Sequence, residues 1–414
     1  MAAITFKLTQ HTPLIHFQAN QEDATLRASE VKPKLDRYLQ KKFDKIPVYK
    51  LSIRSLKNEN CRPIQEPVFI HGQQQYDRNG NPRMRSFSPM YFGNMGNNQS
   101  SFKDYCISSD CRVTIITQDK DAAFLDKAKT YIVSFFRTQN FGTRQSKGYG
   151  SFTAEIEGIS QVDAPGTYYF TLPGDLNWYD VMTRLELFHK TLRSGINGPD
   201  DTSLYFKSMM FQYAQSLERQ WDKKSIKQVF LNRTEMEVQK ERHGLKDPLS
   251  YSTTDREDFR DYLGFSGSSP EMWRVNSGQT SYNERRHREE IRFNTFTIKK
   301  LFSDNSGKEL SRFRAPFIYK PIKEGGKWKV LILLGDIPDK LSHGQVHISS
   351  DQRNRNALDM PMAQSFSLQG FFEFVYKNRG NVRSFFHNQN STPRNESQYK
   401  WILEMYNNLN IIQP

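Results

Sequence analysis

A glycine-rich segment in the first half of the chain places the strongest constraint on its fold. Residues 141–152 read FGTRQSKGYGSF, and an apolar run with helical spacing over residues 123–136 precedes them. Glycine reaches positive φ and lets the backbone approach a ligand closely, so successive N–H groups can face an anion. Arg144 and Lys147 add positive charge, and Tyr149 offers a face for stacking. The segment therefore suits the backbone of single-stranded RNA.

The glycine spacing does not match two common nucleotide-binding loops. No strand runs directly into Gly142 and no helix pattern follows Gly150, so the dinucleotide-binding fingerprint is not met. A Walker loop is also excluded, because no Gly-Lys-Ser or Gly-Lys-Thr triplet occurs. The alternative to a binding loop is a tight hairpin with charged residues on its rim.

The charge of the whole chain favours the binding loop over the plain hairpin. The chain has a formal net charge of +14 over 414 residues. Such an excess favours a polyanionic partner. Nucleic acid fits better than a membrane, because no run approaches the roughly 18 apolar residues of a spanning helix. At about 100–200 residues per domain, the length predicts two domains.

The cysteines and acidic residues predict no metal or cofactor. Of the three cysteines only Cys106 and Cys111 are close in sequence, and no nearby histidine pair completes a zinc site. The adjacent Asp200 and Asp201 follow Asn-Gly-Pro, which predicts a turn rather than a metal site. The N-terminus lacks the basic region and apolar core of a signal peptide, so we expect a reduced, cytoplasmic protein.

The first half predicts an α+β domain with a mainly antiparallel sheet. Strands are expected over residues 4–8 and 111–117, a helix over about 122–138, and long loops over 58–101. Another helix should begin near residues 30–32 with Ser29 as its N-cap, because Pro33 is tolerated only in a first turn.

The second half predicts a related α+β unit with helical and polar insertions. Strand–helix alternation occurs in both halves, so we place the two domains at residues 1–170 and 171–414. The spacing predicts helices over 178–192, 204–231 and 397–409, strands over 291–298, 315–320, 328–334 and 367–376, and a polar insertion over 246–283.

Several short motifs occur in order along most of the chain. They are Thr12-Pro13-Leu14, residues 26–32, Tyr91-Phe92-Gly93, the glycine-rich segment, Leu263-Gly264-Phe265 and residues 312–317. On these motifs the chain resembles the RAMP proteins of CRISPR systems, and among them the family of the first-numbered subunit of the type III-B, or Cmr, effector complex. It departs from that pattern at Pro33, where the family usually has glycine, and at Ala315, where it has serine.

The resemblance implies two ferredoxin-like domains with the βαββαβ core of RNA recognition motifs. It also implies a non-catalytic RNA-binding subunit with guide RNA, target RNA and other RAMP subunits as partners, placed where the complex holds the 3′ end of the guide. The expected RNA-binding residues are Arg27, Lys32, Lys34, Arg37, Gly142, Arg144, Lys147, Gly148, Tyr149, Gly150, Arg312 and Arg314.

Two alternatives remain open. A metal-independent RAMP endoribonuclease would use histidine, tyrosine or lysine as general acid and base on a ribose 2′-OH. His11 and His243 are the candidates, whereas His16 is expected at a strand edge. In processing RAMP enzymes the glycine-rich loop usually lies near the C-terminus, but about 260 residues follow it here, which favours the binding subunit. A basic RNA-binding module outside CRISPR systems is the other alternative.

Overall fold

The protein combines helices with antiparallel sheets, which confirms the predicted α+β class. The computed structural model describes residues 1–16, 24–56, 58–61, 64–70, 73–90, 105–197, 205–219, 257–267, 271–284, 287–350, 357–388 and 393–413. His243, the Asp200–Asp201 pair and the motif at residues 91–93 lie outside these residues.

The first unit is a four-stranded sheet with two helices on one face. The strand order is β10-β1-β9-β2 and every neighbouring pair is antiparallel. Its elements are β1 (Ala2–Gln10), α1 (Ala28–Leu39), β2 (Lys50–Ser55), β3 (Asn58–Cys61), β4 (Ile64–Pro67), β5 (Phe69–Ile70), β6 (Gln73–Gln74), β7 (Met84–Phe87), β8 (Tyr105–Ser108), β9 (Cys111–Thr117), α2 (Ala122–Thr138) and β10 (Phe152–Glu155).

The second unit contains a four-stranded sheet of order β19-β20-β11-β24 and a further sheet of order β15-β16-β21-β22. Its elements are β11 (Tyr168–Pro173), α3 (Trp178–Arg193), β12 (Ile196–Asn197), β13 (Tyr205–Phe206), α4 (Met209–Ser216), β14 (Phe265–Ser266), β15 (Glu271–Asn283), β16 (Arg288–Ser303), β17 (Glu309–Leu310), β18 (Arg312–Phe313), β19 (Phe317–Glu324), β20 (Lys327–Leu334), α5 (Asp339–Ser342), β21 (Gln345–Ser350), β22 (Leu358–Pro361), α6 (Leu368–Lys377), β23 (Phe386–Asn388), α7 (Pro393–Asn407) and β24 (Asn410–Ile411).

The two four-stranded sheets share one topology. In the first unit the order is β1-α1-β2-β9-α2-β10, once the ladders β3–β8 are set aside as an insertion. In the second it is β11-α3-β19-β20-α7-β24, once α4, α5, α6 and strands β12–β18 and β21–β23 are set aside as insertions. The elements that remain have the order βαββαβ in both units, and in both the strands lie side by side in the order fourth, first, third, second. The first sheet ends at Glu155 and the second begins at Tyr168, so residue 170 lies inside β11.

Helices and strands with strong hydrophobic periodicity were predicted well, whereas a segment rich in aromatic residues was not. The strand at 111–117 and the helix at 122–138 occupy those residues, and the predicted helix at 397–409 overlaps α7. The predicted strand over 367–376 is wrong, because this segment is α6. Ser367 caps the helix by accepting the Gly370 N–H, and Phe371, Phe372 and Val375 are buried at helical spacing.

Three other sequence expectations need correction. Helix α1 begins at Ala28 with Arg27 at the N-cap, so Ser29 lies inside the helix and Pro33 in its second turn. Burial of Val31 and Leu35 holds the helix despite the proline. Short paired strands replace the long loops in the described parts of 58–101, and the described part of 204–231 holds a strand and the short α4.

His11 lies where the two units meet. Its Nδ1 accepts the backbone N–H of Lys323 at 3.1 Å, and its Nε2 lies 2.8 Å from the Thr153 hydroxyl. Burial lowers the pKa of His11 to about 3, with the positive charges of Lys320 and Arg137 acting in the same direction. The ring is therefore neutral at neutral pH, with its proton on Nε2.

Acidification from pH 7 to pH 5 should therefore destabilise the chain. The unfolded state binds a proton at His11 near pH 6.5, whereas the folded state does not until about pH 3, so the free energy of unfolding falls as pH falls. This group alone contributes about 2 kcal/mol of loss at pH 5. Urea unfolding at both pH values measures it.

His11→Asn keeps an acceptor for the Lys323 N–H but does not titrate, so this variant should lose that part of the pH dependence. The matched control is His343→Asn, since His343 is exposed. The same pH dependence in the parent and both variants would contradict the assignment.

Candidate nucleic-acid interface

Strand β19 of the second unit holds both ends of the glycine-rich loop, defined here as residues 141–151. At the first end, the Asn140 side-chain amide donates to the Tyr319 carbonyl at 2.8 Å. At the other end, the Ser151 hydroxyl donates to the Pro321 carbonyl at 2.6 Å. An isolated β-bridge between Asn140 and Ser151 closes the loop. The loop is therefore part of the contact between the two units.

Lys320 completes this attachment from the middle of β19. Its fully buried amine donates to the carbonyls of Gln139 and Phe152, both at 2.7 Å, and these residues flank the loop on either side. Burial lowers the pKa of Lys320 well below its ordinary value, and the nearby charge of Arg137 acts in the same direction. The lysine therefore serves the junction and not a ligand.

Gly142 and Gly150 of the loop lie against the protein's own backbone, and Gly148 lies against the side chains of Pro321 and Leu185. Gly142, Gly148 and Gly150 have φ of +78°, +97° and +65°. A Cβ on Gly142 would lie 2.6 Å from the Ile15 carbonyl oxygen, and one on Gly150 would overlap the carbonyl oxygen of Phe141. The glycines are thus required by the tight packing of the loop. The close approach of the backbone that the glycines predicted does occur, but it is made to other residues of the chain.

Most amide groups of the loop also have partners within the chain. The N–H of Gly142 donates to the Glu30 carboxylate at 2.7 Å. The N–H groups of Thr143 and Gly150 donate to the carbonyls of Ile15 and Pro13, both at 2.8 Å. These amides do not form the predicted anion cradle, because internal acceptors already occupy them.

Tyr149 does not offer the predicted stacking face. Its side chain is fully buried, its hydroxyl donates to the Pro89 carbonyl at 2.6 Å, and its ring packs 5.8 Å from that of Tyr105. The prediction was wrong because the ring belongs to the core of the second unit, a contact that local sequence does not reveal.

The Lys147 amine points toward α3, and Arg144 is a partly exposed cation of the loop. The Lys147 amine lies 3.1 Å from His189 Nε2, and His189 Nδ1 lies 3.0 Å from the Tyr319 hydroxyl. Burial lowers the pKa of Lys147 to about 7, with the charges of Arg193 and Arg144 adding to the effect. Arg144 adopts a left-handed conformation with φ +59° at the start of the loop's short 3-10 turn.

Helix α1 contributes two structural lysines and two exposed arginines. Lys34 donates to Glu30 and to the Gln145 side chain, both at 3.0 Å, and so attaches the loop to the helix. Lys32 pairs with Asp36 at 2.8 Å and lies over the Tyr49 ring. Arg27 and Arg37 are exposed at the two ends of this helix. Arg27 lies within one turn of Glu30, which accepts the Gly142 N–H.

Arg312 and Arg314 are exposed on a short ladder of the second unit. Strand β18 pairs with β14, which joins the Leu263-Gly264-Phe265 motif to the motif at 312–317. The Gly264 carbonyl accepts from Arg193 at 2.6 Å, and Arg193 also binds Asp261 at 3.0 Å. Arg193, at the C-terminal end of α3, therefore joins this ladder to that helix.

Sequence reasoning missed the residues that build the junction. Lys320, His189, Arg193 and Arg137 were not singled out, although Lys320 interrupts the otherwise apolar run FIYKPI and could have been. Arg137 is buried and binds Asp163 at 2.6 Å and Glu324 of the second unit at 2.7 Å.

The remaining sequence candidates form no second site. His16 is buried, and Cys106 and Cys111 are buried free thiols. No cluster of histidine, cysteine and carboxylate groups suited to a metal ion occurs within the described ranges. In that same part of the chain, no helix is long and apolar enough to cross a membrane.

The protein is thus built from two βαββαβ units joined through a glycine-rich loop. Family models of the Cmr1 N-terminal domain and the Cmr1 C-terminal domain match residues 1–196 and 205–400. The chain therefore belongs to the Cmr1 family, whose members are subunits of the multi-subunit type III-B CRISPR complex. This confirms the resemblance that the ordered motifs indicated.

Comparison with individual proteins adds little. The crystal structure of Cmr1 from Pyrococcus furiosus in its apo form matches at 11% sequence identity, over 91% of this chain and 97% of that chain, with a TM-score of 0.33. None of the curated proteins matches the chain.

Substitution of Gly150 should test whether the loop glycines are structural. Gly150→Ala and Gly158→Ala both place alanine at positive φ, which costs about 1–2 kcal/mol. Only at Gly150 would the methyl group also overlap backbone, and overpacking adds a further ~1–3 kcal/mol. Urea unfolding should therefore show a clearly larger loss for Gly150→Ala. Equal losses would show that the loop is not packed as described.

Proposed function

We propose that the chain is a non-catalytic RNA-binding subunit of a type III-B CRISPR effector complex. Its partners would be guide RNA, target RNA and other RAMP subunits in the cytoplasm, with contacts near the guide 3′ end and the guide–target duplex. Family membership supports the complex, and the implied family role supports the position on the guide. The observation that carries the proposal is Arg144, a partly exposed cation in a loop held rigidly by both units.

The exposed arginines of the two units suit a phosphate backbone. Arg27 is exposed beside the loop, Arg37 is exposed at the far end of α1, and Arg312 and Arg314 are exposed on β18 and just after it. Arginine forks bind phosphate oxygens bidentately. Tyr149 is buried, so the loop offers no ring on which a base could stack. We therefore expect affinity to depend on phosphate contacts and to show little base preference.

The purified chain should bind a fluorescein-labelled 30-nucleotide oligouridylate with strong salt dependence. Fluorescence anisotropy should show affinity falling steeply between about 50 and 200 mM salt, because phosphate contacts release counterions. Arg144→Gln should reduce the slope of log affinity against log salt by about 0.7. Lys147→Gln should leave that slope unchanged, since the Lys147 amine lies against His189.

Lys340→Gln, at an exposed lysine of the second unit, is the control for loss of one charge. A folded parent chain that binds no RNA at about 50 mM salt would contradict the proposed function. A slope for Arg144→Gln equal to that of the control would remove the loop from the interface.

The chain should leave repeat-containing RNA intact with and without divalent metal. His11 is neutral, its two ring nitrogens are engaged, and its lowered pKa of about 3 makes it a weak base. Gel electrophoresis after long incubation is the measurement. Cleavage that His243→Ala abolishes and His343→Ala preserves would favour the endoribonuclease alternative.

A further inference from the structure

Helices cover one face of the sheet of the first unit, and the other face, called here the open face, is exposed along parts of β1, β9 and β2. Helices α1 and α2 pack on the face that carries Phe6, Val113 and Ile115, which are buried. Side chains alternate along each strand, so the intervening residues point to the other side. On that side Lys7, Arg54 and Arg112 are all exposed, and the Arg112 side chain is 62% exposed.

Strand register places these three cations in one row. Lys7 lies opposite Arg112 across β1 and β9, and Arg112 lies opposite Arg54 across β9 and β2. The exposed Lys50 lies further along β2 on the same face. Neighbouring strands are about 4.8 Å apart, so the row spans roughly 10 Å.

Few opposite charges balance this row. Asp110 pairs with Arg112 at 3.1 Å, and Glu155 lies opposite Lys7 but its carboxylate accepts a hydrogen bond from the Thr9 hydroxyl. Among the described residues no ion pair is made by Lys7 or Arg54. Within the described part of this surface, the cations Lys7, Lys50, Arg54 and Arg112 therefore outnumber the carboxylates Asp110 and Glu155.

This row of like charges destabilises the folded chain when no ligand is bound to it. Like charges directly opposite each other on neighbouring strands destabilise a sheet. Local arrangements that lower stability without a structural benefit are typical of functional sites. A bound polyanion would remove the repulsion, so the row is suited to a ligand that carries repeated negative charge.

The residues between the cations favour a phosphate backbone over bases or a protein. The neighbouring row consists of the small hydroxyl residues Thr5, Thr114 and Ser52, which can donate to phosphate oxygens. The exposed positions of these three strands carry no aromatic ring, so bases have no stacking platform. Ala3 and Ile116 are their only apolar members, too few for the apolar centre of a stable protein interface.

We propose that the open face of the β10-β1-β9-β2 sheet is a second RNA-binding surface, on which Lys7, Arg112 and Arg54 contact consecutive phosphates of a single strand. This inference rests on the proposed function, because it assumes that the chain binds RNA. It adds a surface on the first unit whose contacts are independent of base sequence.

The test compares two triple variants of the full chain that lose the same charge. The sheet-face variant is Lys7→Gln, Arg54→Gln and Arg112→Gln. The control is Lys308→Gln, Lys340→Gln and Lys377→Gln, at three exposed lysines of the second unit. With the labelled oligouridylate, the salt slope of the sheet-face variant should fall by about 2, or about 0.7 for each lost contact, and that of the control should stay near the parent value.

Thermal melts without RNA separate a binding role from a structural one. Removal of the like-charge row should leave the melting temperature of the sheet-face variant unchanged or raised. A marked fall in the melting temperature would show that the row stabilises the sheet, which would overturn the proposal.

A photo-crosslinking residue provides direct evidence of contact. With p-benzoylphenylalanine at Ser52, in the middle of the face, the RNA should crosslink, whereas the same residue at exposed Ser306 should not. Crosslinking from Ser52 to a protein subunit of the assembled complex, and not to RNA, would assign the face to an acidic protein partner and overturn the proposal.

The outcomes distinguish failure of the sheet-face proposal from failure of the proposed function. If the parent binds RNA and the two triple variants have equal slopes, the sheet face is excluded and the proposed function stands. If the folded parent binds no RNA, both are excluded.

Discussion

The buried amine of Lys320 is the interaction on which the rest of the structure depends. It comes from the second unit and binds the carbonyls on both sides of the glycine-rich loop of the first. Burying a charged amine is costly, and the lowered pKa shows that burial favours the uncharged form. The amine donates one hydrogen bond to each of the two carbonyls. One side chain therefore fixes the base of the loop and the contact between the units.

Because of this attachment, the glycine-rich segment has a different role from the one that its sequence suggests. The glycines, Tyr149 and Lys147 face inward and build the junction, so the features that suggested a flexible anion cradle instead make a rigid one-sided loop. Arg144 of the loop stays partly exposed, and Arg27, Arg37, Arg312 and Arg314 are exposed elsewhere on the two units. The loop is therefore a rigid part of the contact between the units that leaves Arg144 partly exposed.

Hydrophobic periodicity predicted the helices and strands that are buried on one side only. It failed for segments whose burial depends on distant parts of the chain. β9 alternates between buried and outward residues, and α2 repeats its apolar residues every three or four positions, so both were located to the residue. Residues 367–376 are rich in aromatics, which favour strands in isolation, yet the Ser367 cap and packing make them a helix. The burial of Tyr149 depends on Pro89 and Tyr105 from another part of the chain, which no local pattern encodes.

The two units share one topology, but the open faces of their two sheets differ. In the second unit, edge strand β19 is buried on both faces from Tyr319 to Ile322, because its own core covers one side and the loop of the first unit covers the other. Strands buried on both faces are normally continuous apolar runs, so Lys320 in such a strand indicates a partner contributed from elsewhere. The corresponding sheet of the first unit keeps an exposed row of cations. The same topology therefore has this face covered by the loop of the other unit in one sheet and exposed with a row of cations in the other.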